Sequence, residues 1–250
     1  MFTVEERDSV RKRLLAFAEE DPAVVGAALT GSYALERGDE WSDIDLAFAI
    51  SGDIPRALER WTERIDNEFT VLHHWDLAWR SSVYRVFLLA SGLEVDIAFT
   101  PQSEFGARGP TWRKVFGDTV ELEPTPPESR EALVGLGWHH VLHARACIER
   151  DKPWQAEWLI AGLRDHVLTL ACLRLDLPTH YARGADLLPA ELTKPLEATL
   201  VRSLDEGELR RALAAAAVAY ADELERTDSA LAARLRPLLQ EVAQEPSASR

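Results

Sequence analysis

Cationic residues are scarce in this sequence relative to acidic ones. Its 250 residues include 28 Lys and Arg against 42 Asp and Glu, which gives a formal net charge of −14. A surface of this charge repels a polyanion such as nucleic acid unless a local basic groove is present, and no run of Lys or Arg indicates one. The composition therefore argues against a nucleic-acid partner.

Cysteines and long apolar runs are also few. The two cysteines, Cys147 and Cys172, belong to no CxxC pair and fit no zinc-ligand spacing. We expect them to be buried small hydrophobic residues in a reducing compartment. No window approaches the ~20 apolar residues of a membrane span, and the N-terminal sequence lacks the apolar core of a signal peptide. These absences predict a cytoplasmic protein with no membrane partner.

The chain changes character at a proline-rich segment. Hydrophobic residues make up 46% of the sequence, which is enough for a sizeable core. In EPTPPES, at 123–129, three prolines within four positions exclude a continuous helix or a central strand. We therefore predict two domains: an α/β (α+β) domain with a mixed sheet over residues 1–123, and an all-α helical bundle over residues 128–245.

Apolar periodicity places the elements of both domains. In the first domain it predicts helices over 5–20 and 54–67, a short helix at YALERG, and strands at AVVGAAL, DIDLAFAI, FTVLHHW, VYRVFLLA and LEVDIAFT. In the second it predicts helices over 130–150, 153–175, 189–203 and 206–225, with a last helix near 228–243.

Two carboxylates open the strand DIDLAFAI. Residues i and i+2 of a strand share a face, so Asp43 and Asp45 point the same way while the other face enters the core. Carboxylates this close repel each other, and a hard divalent cation such as Mg²⁺ relieves the repulsion. Taken alone the pattern is weak, because chance supplies roughly one DxD in a chain of this length at average Asp usage. Two solvated aspartates are the alternative.

Three further features favour a reactive site. Gly31 and Ser32 follow a short apolar strand, where backbone N–H groups and a hydroxyl can meet a phosphate. The segment EVDIAF repeats the pattern of DIDLAF, so a neighbouring strand would bring Asp96 to the same place. Alanines leave room beside the acids. This layout suits metal-assisted nucleotidyl transfer.

The segment GSYALERGDEWSDIDLAF resembles the Gly-Ser … Asp-x-Asp signature of the polymerase-β-like nucleotidyltransferase superfamily. The nearest resemblance is to bacterial aminoglycoside and lincosamide adenylyltransferases, which join such a domain to a C-terminal helical bundle. It implies that Asp43 and Asp45 hold Mg²⁺, and that the Gly31-Ser32 turn binds the β- and γ-phosphates. Asp96 corresponds to the third carboxylate, which helps to hold metal or acts as the base.

The resemblance leaves the base and the phosphate-binding cations open. Some members of the superfamily take the base from a Glu on the helical domain, and Glu157 in PWQAEW is the candidate for that role beside Asp96. A plain surface glutamate is the alternative. Cations should approach the triphosphate, and no spacing singles one out: the candidates are Arg37, Arg85, Arg113 and Lys114.

The resemblance implies an enzyme that transfers a nucleoside monophosphate, AMP from ATP in the first instance, to a hydroxyl of a small molecule and releases pyrophosphate. An aminoglycoside-like antibiotic is the leading acceptor, and the protein would be a monomer or a homodimer. Two alternatives stay open. One is the same transfer onto a protein hydroxyl, as in toxin–antitoxin pairs, and the other is a catalytically silent nucleotide-binding regulatory module.

Two weaker patterns lie in the helical half. His139 and His143 have the i, i+4 spacing of a metal-binding pair, but no third ligand or HExxH motif accompanies them. Arg174 and His180 have a spacing that resembles the HEPN ribonuclease motif, although Pro178 interrupts it. We expect both pairs to be structural.

Overall fold

The computed structural model describes residues 1–244. The chain divides into two compact units, Met1–Thr125 and Pro126–Arg250, and each is described here by itself. Position 245, the last residue of the predicted helical domain, lies outside the described residues. Among residues 1–244, no helix is long and apolar enough to cross a membrane.

The first unit contains three helices and six strands. The helices are α1 (Val4–Glu20), α2 (Gly31–Ala34) and α3 (Ile54–Glu68). The strands are β1 (Val24–Thr30), β2 (Ile44–Ile50), β3 (Val71–Trp79), β4 (Ser82–Leu89), β5 (Glu94–Pro101) and β6 (Trp112–Gly117). They form a single mixed sheet in the order β3-β4-β5-β2-β1-β6, in which β2 and β5 are parallel and the other neighbours are antiparallel.

Alternation along β2 gives the sheet two different faces. Leu46 and Phe48 point into a large apolar core that also contains residues of α1 and α3, and the Phe48 and Trp61 rings lie 4.6 Å apart. Ala47 and Ala49 point the other way, where they form an alanine layer with Ala28 and Ala98 that Phe105 covers. The opposite face therefore carries a thin layer of small side chains, and the carboxylate of Asp45 shares it by strand alternation.

Strand β6 was not predicted from the sequence. It pairs antiparallel with β1 and forms one edge of the sheet. Its side chains are half-buried or exposed, and Arg113 and Lys114 stand in its middle. Because an edge strand faces solvent along one side, its sequence lacks the apolar alternation on which the other strands were predicted.

The second unit is helical, as predicted. Its helices are α4 (Arg130–Glu149), α5 (Pro153–Arg174), α6 (Ala190–Thr193), α7 (Glu206–Thr227) and α8 (Ser229–Gln244). Tyr220 is fully buried among them and donates its hydroxyl to the Val134 carbonyl at 2.6 Å. The predicted fold class, a mixed-sheet domain followed by an all-α region, is confirmed.

The predicted helix over 189–203 is wrong. In its place are the single turn α6, a 3₁₀ segment at Lys194–Thr199, and extended chain from Leu200. Pro195 lies near the start of the 3₁₀ segment, where it removes a backbone donor and interrupts α-helical hydrogen bonding.

Candidate active site

Two predicted acids meet on neighbouring strands. In the parallel pairing of β2 with β5, Asp45 is the direct partner of Asp96, and Ala47 is the direct partner of Ala98. Asp43 comes two positions before Asp45, just ahead of the strand, and its charge raises the pKa of Asp96. The structure therefore brings the carboxylates of β2 and β5 to one end of the alanine layer.

The glycine-serine turn lies against the same acids. Gly31 has a φ of 61°, and a Cβ built on it would lie 2.0 Å from Asp45 Oδ2. A residue with a side chain would therefore collide with that carboxylate. The neighbouring Ser32 hydroxyl is buried and has no hydrogen-bond partner among the described residues. This unpaired hydroxyl is available to a ligand that enters beside Asp45.

The Asp96 carboxyl is the most perturbed acid of this site. Burial first, and then the negative charges of Glu94 and Asp43, raise its pKa to about 7. Its Oδ1 atom is buried and has no hydrogen-bond partner in the described part of the chain. Because burial and like charge both penalise the ionised form, Asp96 in the free protein is poised to gain or release a proton near neutral pH.

This perturbation predicts how stability depends on pH. Between about pH 4 and 7 the folded protein keeps a proton on Asp96 that the unfolded chain releases, so the unfolding free energy falls as pH rises through this window. We expect Asp96→Asn to remove on the order of 1–3 kcal/mol of this fall in metal-free protein. Urea denaturation of both proteins at pH 5 and pH 8 measures the difference. Parallel pH profiles for the two proteins would contradict the assigned pKa.

The donor atoms at this site fit a hard divalent cation. Among residues 1–244, no three His, Cys, Asp or Glu side chains stand close enough to form a complete metal site. Mg²⁺ does not require such a cage, since proteins commonly hold it through one or two carboxylates while the phosphates of the substrate complete the shell. The carboxylates of Asp45 and Asp96 stand at partner positions of β2 and β5, and Asp96 Oδ1 has no hydrogen-bond partner among the described residues, which matches that requirement.

The cations considered from the sequence divide into two groups. Arg37 is exposed, and its backbone N–H donates to the Ser32 carbonyl at 3.0 Å, which places its backbone beside the turn. Arg113 donates to the Tyr33 carbonyl at 3.2 Å and to Glu36 at 2.7 Å, so it also lies beside α2. Lys114 is exposed on edge strand β6.

Arg85 is a wrong candidate for the triphosphate. It makes two hydrogen bonds to Asp76, at 2.6 and 2.7 Å, and it also donates to Thr62 on α3. These partners hold its side chain on the helix-covered face of the sheet, away from the alanine layer. Its charge made Arg85 a candidate, but the sequence around it does not show which face of the sheet it occupies.

Glu157 belongs to the second unit. It is half-buried on α5, and the nearby residues Trp154 and Trp158 of the same helix are exposed. Its role as a base therefore stays a prediction.

The weaker patterns of the helical half have structural explanations. The His139 and His143 rings stack with centroids 4.0 Å apart, and neither belongs to a metal-binding group of three within the described residues. Arg174 makes two hydrogen bonds to buried Glu223, at 2.8 and 3.0 Å. This ion pair occupies the arginine that the ribonuclease-like spacing would have required.

Two residues near the acids were missed at the sequence level. Tyr84 on β4 pairs with Ala98, and burial followed by the charge of Asp96 raises its pKa. The alternation of VYRVF was the available signal, because it puts Tyr84 on one face together with Val86, the partner of Asp96. Arg7 on α1 is buried beside the loop that precedes Asp43, and no sequence pattern marks it.

One of the comparisons with known proteins agrees with this geometry. A family model described as a nucleotidyltransferase domain matches residues 10–105, a range that contains the glycine-serine turn, Asp43, Asp45 and Asp96. No curated protein matches the chain significantly. An aminoglycoside 6-adenyltransferase from Bacillus subtilis is a similar solved structure, at 12% identity and a TM-score of 0.39, covering 98% of this chain and 100% of that one. The family match shows that the chain carries a nucleotidyltransferase domain and is an enzyme of the nucleotidyltransferase class.

Proposed function

We propose that this enzyme transfers AMP from ATP, in the presence of Mg²⁺, to a hydroxyl of a small molecule and releases pyrophosphate. The observation that carries the proposal is the direct pairing of Asp45 with Asp96, with the Gly31 backbone pressed against the Asp45 carboxylate. Carboxylates next to a turn with an unpaired hydroxyl suit a nucleoside triphosphate with its divalent cation.

The acids and the turn have separate roles in binding the nucleotide. Asp43 and Asp45 would hold Mg²⁺, with Asp96 beside them on β5, and the bound ion would neutralise triphosphate charge and polarise the α-phosphate. Gly31 lets the backbone of the turn approach the Asp45 carboxylate closely, and the buried Ser32 hydroxyl would donate to a phosphate oxygen. Because phosphoryl transfer depends mostly on positioning and charge neutralisation, these contacts supply most of what the protein must provide.

The reaction has a simple balance. The acceptor oxygen forms a bond to the α-phosphorus, the bond from that phosphorus to the bridging oxygen breaks, and pyrophosphate leaves with the electron pair. The proton of the acceptor hydroxyl moves to a carboxylate, either Asp96 or Glu157. A carboxylate beside a bound metal ion has a lowered pKa, but Asp96 still suits the role, because the base need only accept the proton as the α-phosphorus is attacked.

The acceptor is assigned by chemistry and by the sequence resemblance. A chain with a net charge of −14 attracts cationic molecules, and aminoglycosides are cationic polyols that carry several hydroxyls. The signature between Gly31 and Phe48 resembles that of antibiotic adenylyltransferases. We therefore propose an aminoglycoside-like antibiotic as acceptor, with antibiotic resistance as the biological outcome.

The direct test is pyrophosphate release. We would offer ATP, GTP, CTP and UTP with Mg²⁺ to the full chain, each with a panel of aminoglycosides, lincosamides and uncharged polyols. We expect turnover with ATP and a cationic aminoglycoside, a nucleotidylated acceptor by mass spectrometry, and loss of turnover after chelation with EDTA. Turnover that persists without divalent cation would contradict the metal-dependent mechanism.

The remaining outcomes distinguish the alternatives. Nucleotide binding by calorimetry without turnover on any small molecule, together with a nucleotidylated Tyr or Ser on a co-purified protein, would favour protein modification. Nucleotide binding with no transfer to any acceptor would favour a regulatory module. No binding of Mg²⁺–ATP at all would refute the proposed chemistry.

A further inference from the structure

A buried arginine reaches the active-site loop from α1. Arg7 is 2% exposed, although an arginine at this depth loses the hydration of its charge. Its nearest carboxylate is the neighbouring Asp8, with Nε and Oδ1 3.8 Å apart, beyond hydrogen-bonding distance. Burial of this charge therefore requires other compensation.

Backbone carbonyls supply that compensation. Arg7 Nη1 donates to the carbonyl of Asp39 and, at 3.0 Å, to the carbonyl of Ser42. Ser42 is the residue immediately before Asp43. A single guanidinium nitrogen thus bridges both ends of the turn that leads into the acid pair.

Hydrogen bonds between its own residues also close the turn from Asp39 to Ser42. The Asp39 N–H donates to Ser42 Oγ at 2.9 Å, the Ser42 hydroxyl donates to Asp39 Oδ1 at 3.0 Å, and the Trp41 N–H donates to the same carboxylate at 3.0 Å. The last two of these bonds, which the Asp39 carboxylate accepts, lower its pKa. Arg7 therefore binds a turn that is already closed by its own hydrogen bonds.

The same guanidinium contacts the glycine-serine side of the site. The Arg7 guanidinium carbon lies 5.0 Å from the ring centroid of Tyr33, the residue after Ser32. The Tyr33 ring also packs on Gly38, where an added Cβ would lie 2.7 Å from it. One buried cation therefore touches the residue that follows the phosphate turn and the residue that precedes the first carboxylate.

From this geometry we infer that Arg7 is a positioning residue, which holds the Asp39–Ser42 turn in place and thereby aims Asp43 at the bound metal–nucleotide. The expected effect on metal–nucleotide binding rests on the proposed function, whereas the positioning of the turn rests on hydrogen bonds within the first unit. Mutation of a residue that orients metal ligands without touching the metal commonly lowers metal affinity or activity ~10–100-fold.

Arg11 provides a matched control. It lies one turn further along α1, its guanidinium carbon is 4.0 Å from the same Tyr33 ring, and it pairs with Asp8 at 3.0 Å. It shares the charge, the helix and the ring of Arg7, but its hydrogen bonds do not include the turn carbonyls. Arg7→Met and Arg11→Met therefore differ in the contact that is being tested.

The experiment has two readouts on the full chain. Hydrogen exchange of the Asp39, Trp41 and Ser42 amides, compared with the core amides of β2, reports whether the turn has loosened locally. Binding of Mn²⁺–ATP, followed by electron paramagnetic resonance, reports the consequence at the acids. In Arg7→Met we expect loss of turn protection and ~10-fold or greater weakening of Mn²⁺–ATP binding, with Arg11→Met near wild type.

Other outcomes would overturn the inference. Equal behaviour of the two variants, or a loosened turn with unchanged Mn²⁺–ATP binding, would show that Arg7 does not position the site. If Arg7→Met fails to fold, Arg7→Lys replaces it, because lysine keeps the charge and the long stem but lacks the planar guanidinium that contacts the two carbonyls. A loosened turn with unchanged Mn²⁺–ATP binding in that variant would equally overturn the inference. A wild-type protein that binds no Mn²⁺–ATP would instead refute the proposed function, and hydrogen exchange alone would then decide whether Arg7 holds the turn.

Discussion

Replacing Asp43 with asparagine is expected to lower nucleotidyl transfer at least ~100-fold while the fold stays intact. Asp43 precedes β2 and is half-buried, so its side chain contributes little to the apolar core. The amide keeps the size of the carboxylate and removes the negative charge that would hold Mg²⁺. A factor of 100 in rate corresponds to about 2.7 kcal/mol of lost transition-state stabilisation.

The measurement is kcat/KM for pyrophosphate release, with urea denaturation to check the fold. Glu40→Gln is the matched control, because Glu40 is an exposed acid in the turn just before Asp43 and undergoes the same loss of charge. We expect its rate to stay within ~3-fold of wild type, as exposed charges in water interact weakly. Normal turnover in Asp43→Asn would remove the catalytic assignment of the acid pair.

Gly31→Ala is expected to abolish detectable transfer and to destabilise the first unit. The new methyl group would lie 2.0 Å from Asp45 Oδ2, so either the turn or the carboxylate must move. The φ of 61° adds a backbone cost of about 1 kcal/mol for a residue with a Cβ. Because the carboxylate is the easier group to displace, we expect activity to fall much further than stability.

Gly92→Ala separates the two costs. Gly92 has a φ of 82°, and an added Cβ would meet Met1 Sδ at 3.9 Å, an ordinary contact. This control carries the backbone strain without a collision at the acids. We expect it to lose about 1 kcal/mol of unfolding free energy and to keep its rate. Equal loss of rate in both variants would show that the close approach of Gly31 to Asp45 has no special role.

Local patterns were sufficient for most elements of the first unit. Strict alternation in DIDLAFAI fixed which side chains of β2 enter the core, and the apolar spacing of 54–67 fixed the buried stripe of α3 around Trp61. Such patterns report burial, so they failed where burial is slight, as at edge strand β6. They also failed around Pro195, where helix-like apolar spacing ran through a segment that lacks a backbone donor.

The sequence by itself determined the residue types of the site: two acids at i and i+2, a third acid in a similar strand, and a glycine-serine turn. Only the tertiary structure decided that β2 and β5 are parallel neighbours in a register that pairs Asp45 with Asp96. It alone placed Arg7 under the turn before Asp43, and Arg85 on the opposite face of the sheet. The reason is physical, since alternation assigns a side chain to a face of its own strand, whereas strand order, register and the reach of a long cation depend on packing between segments far apart in the chain.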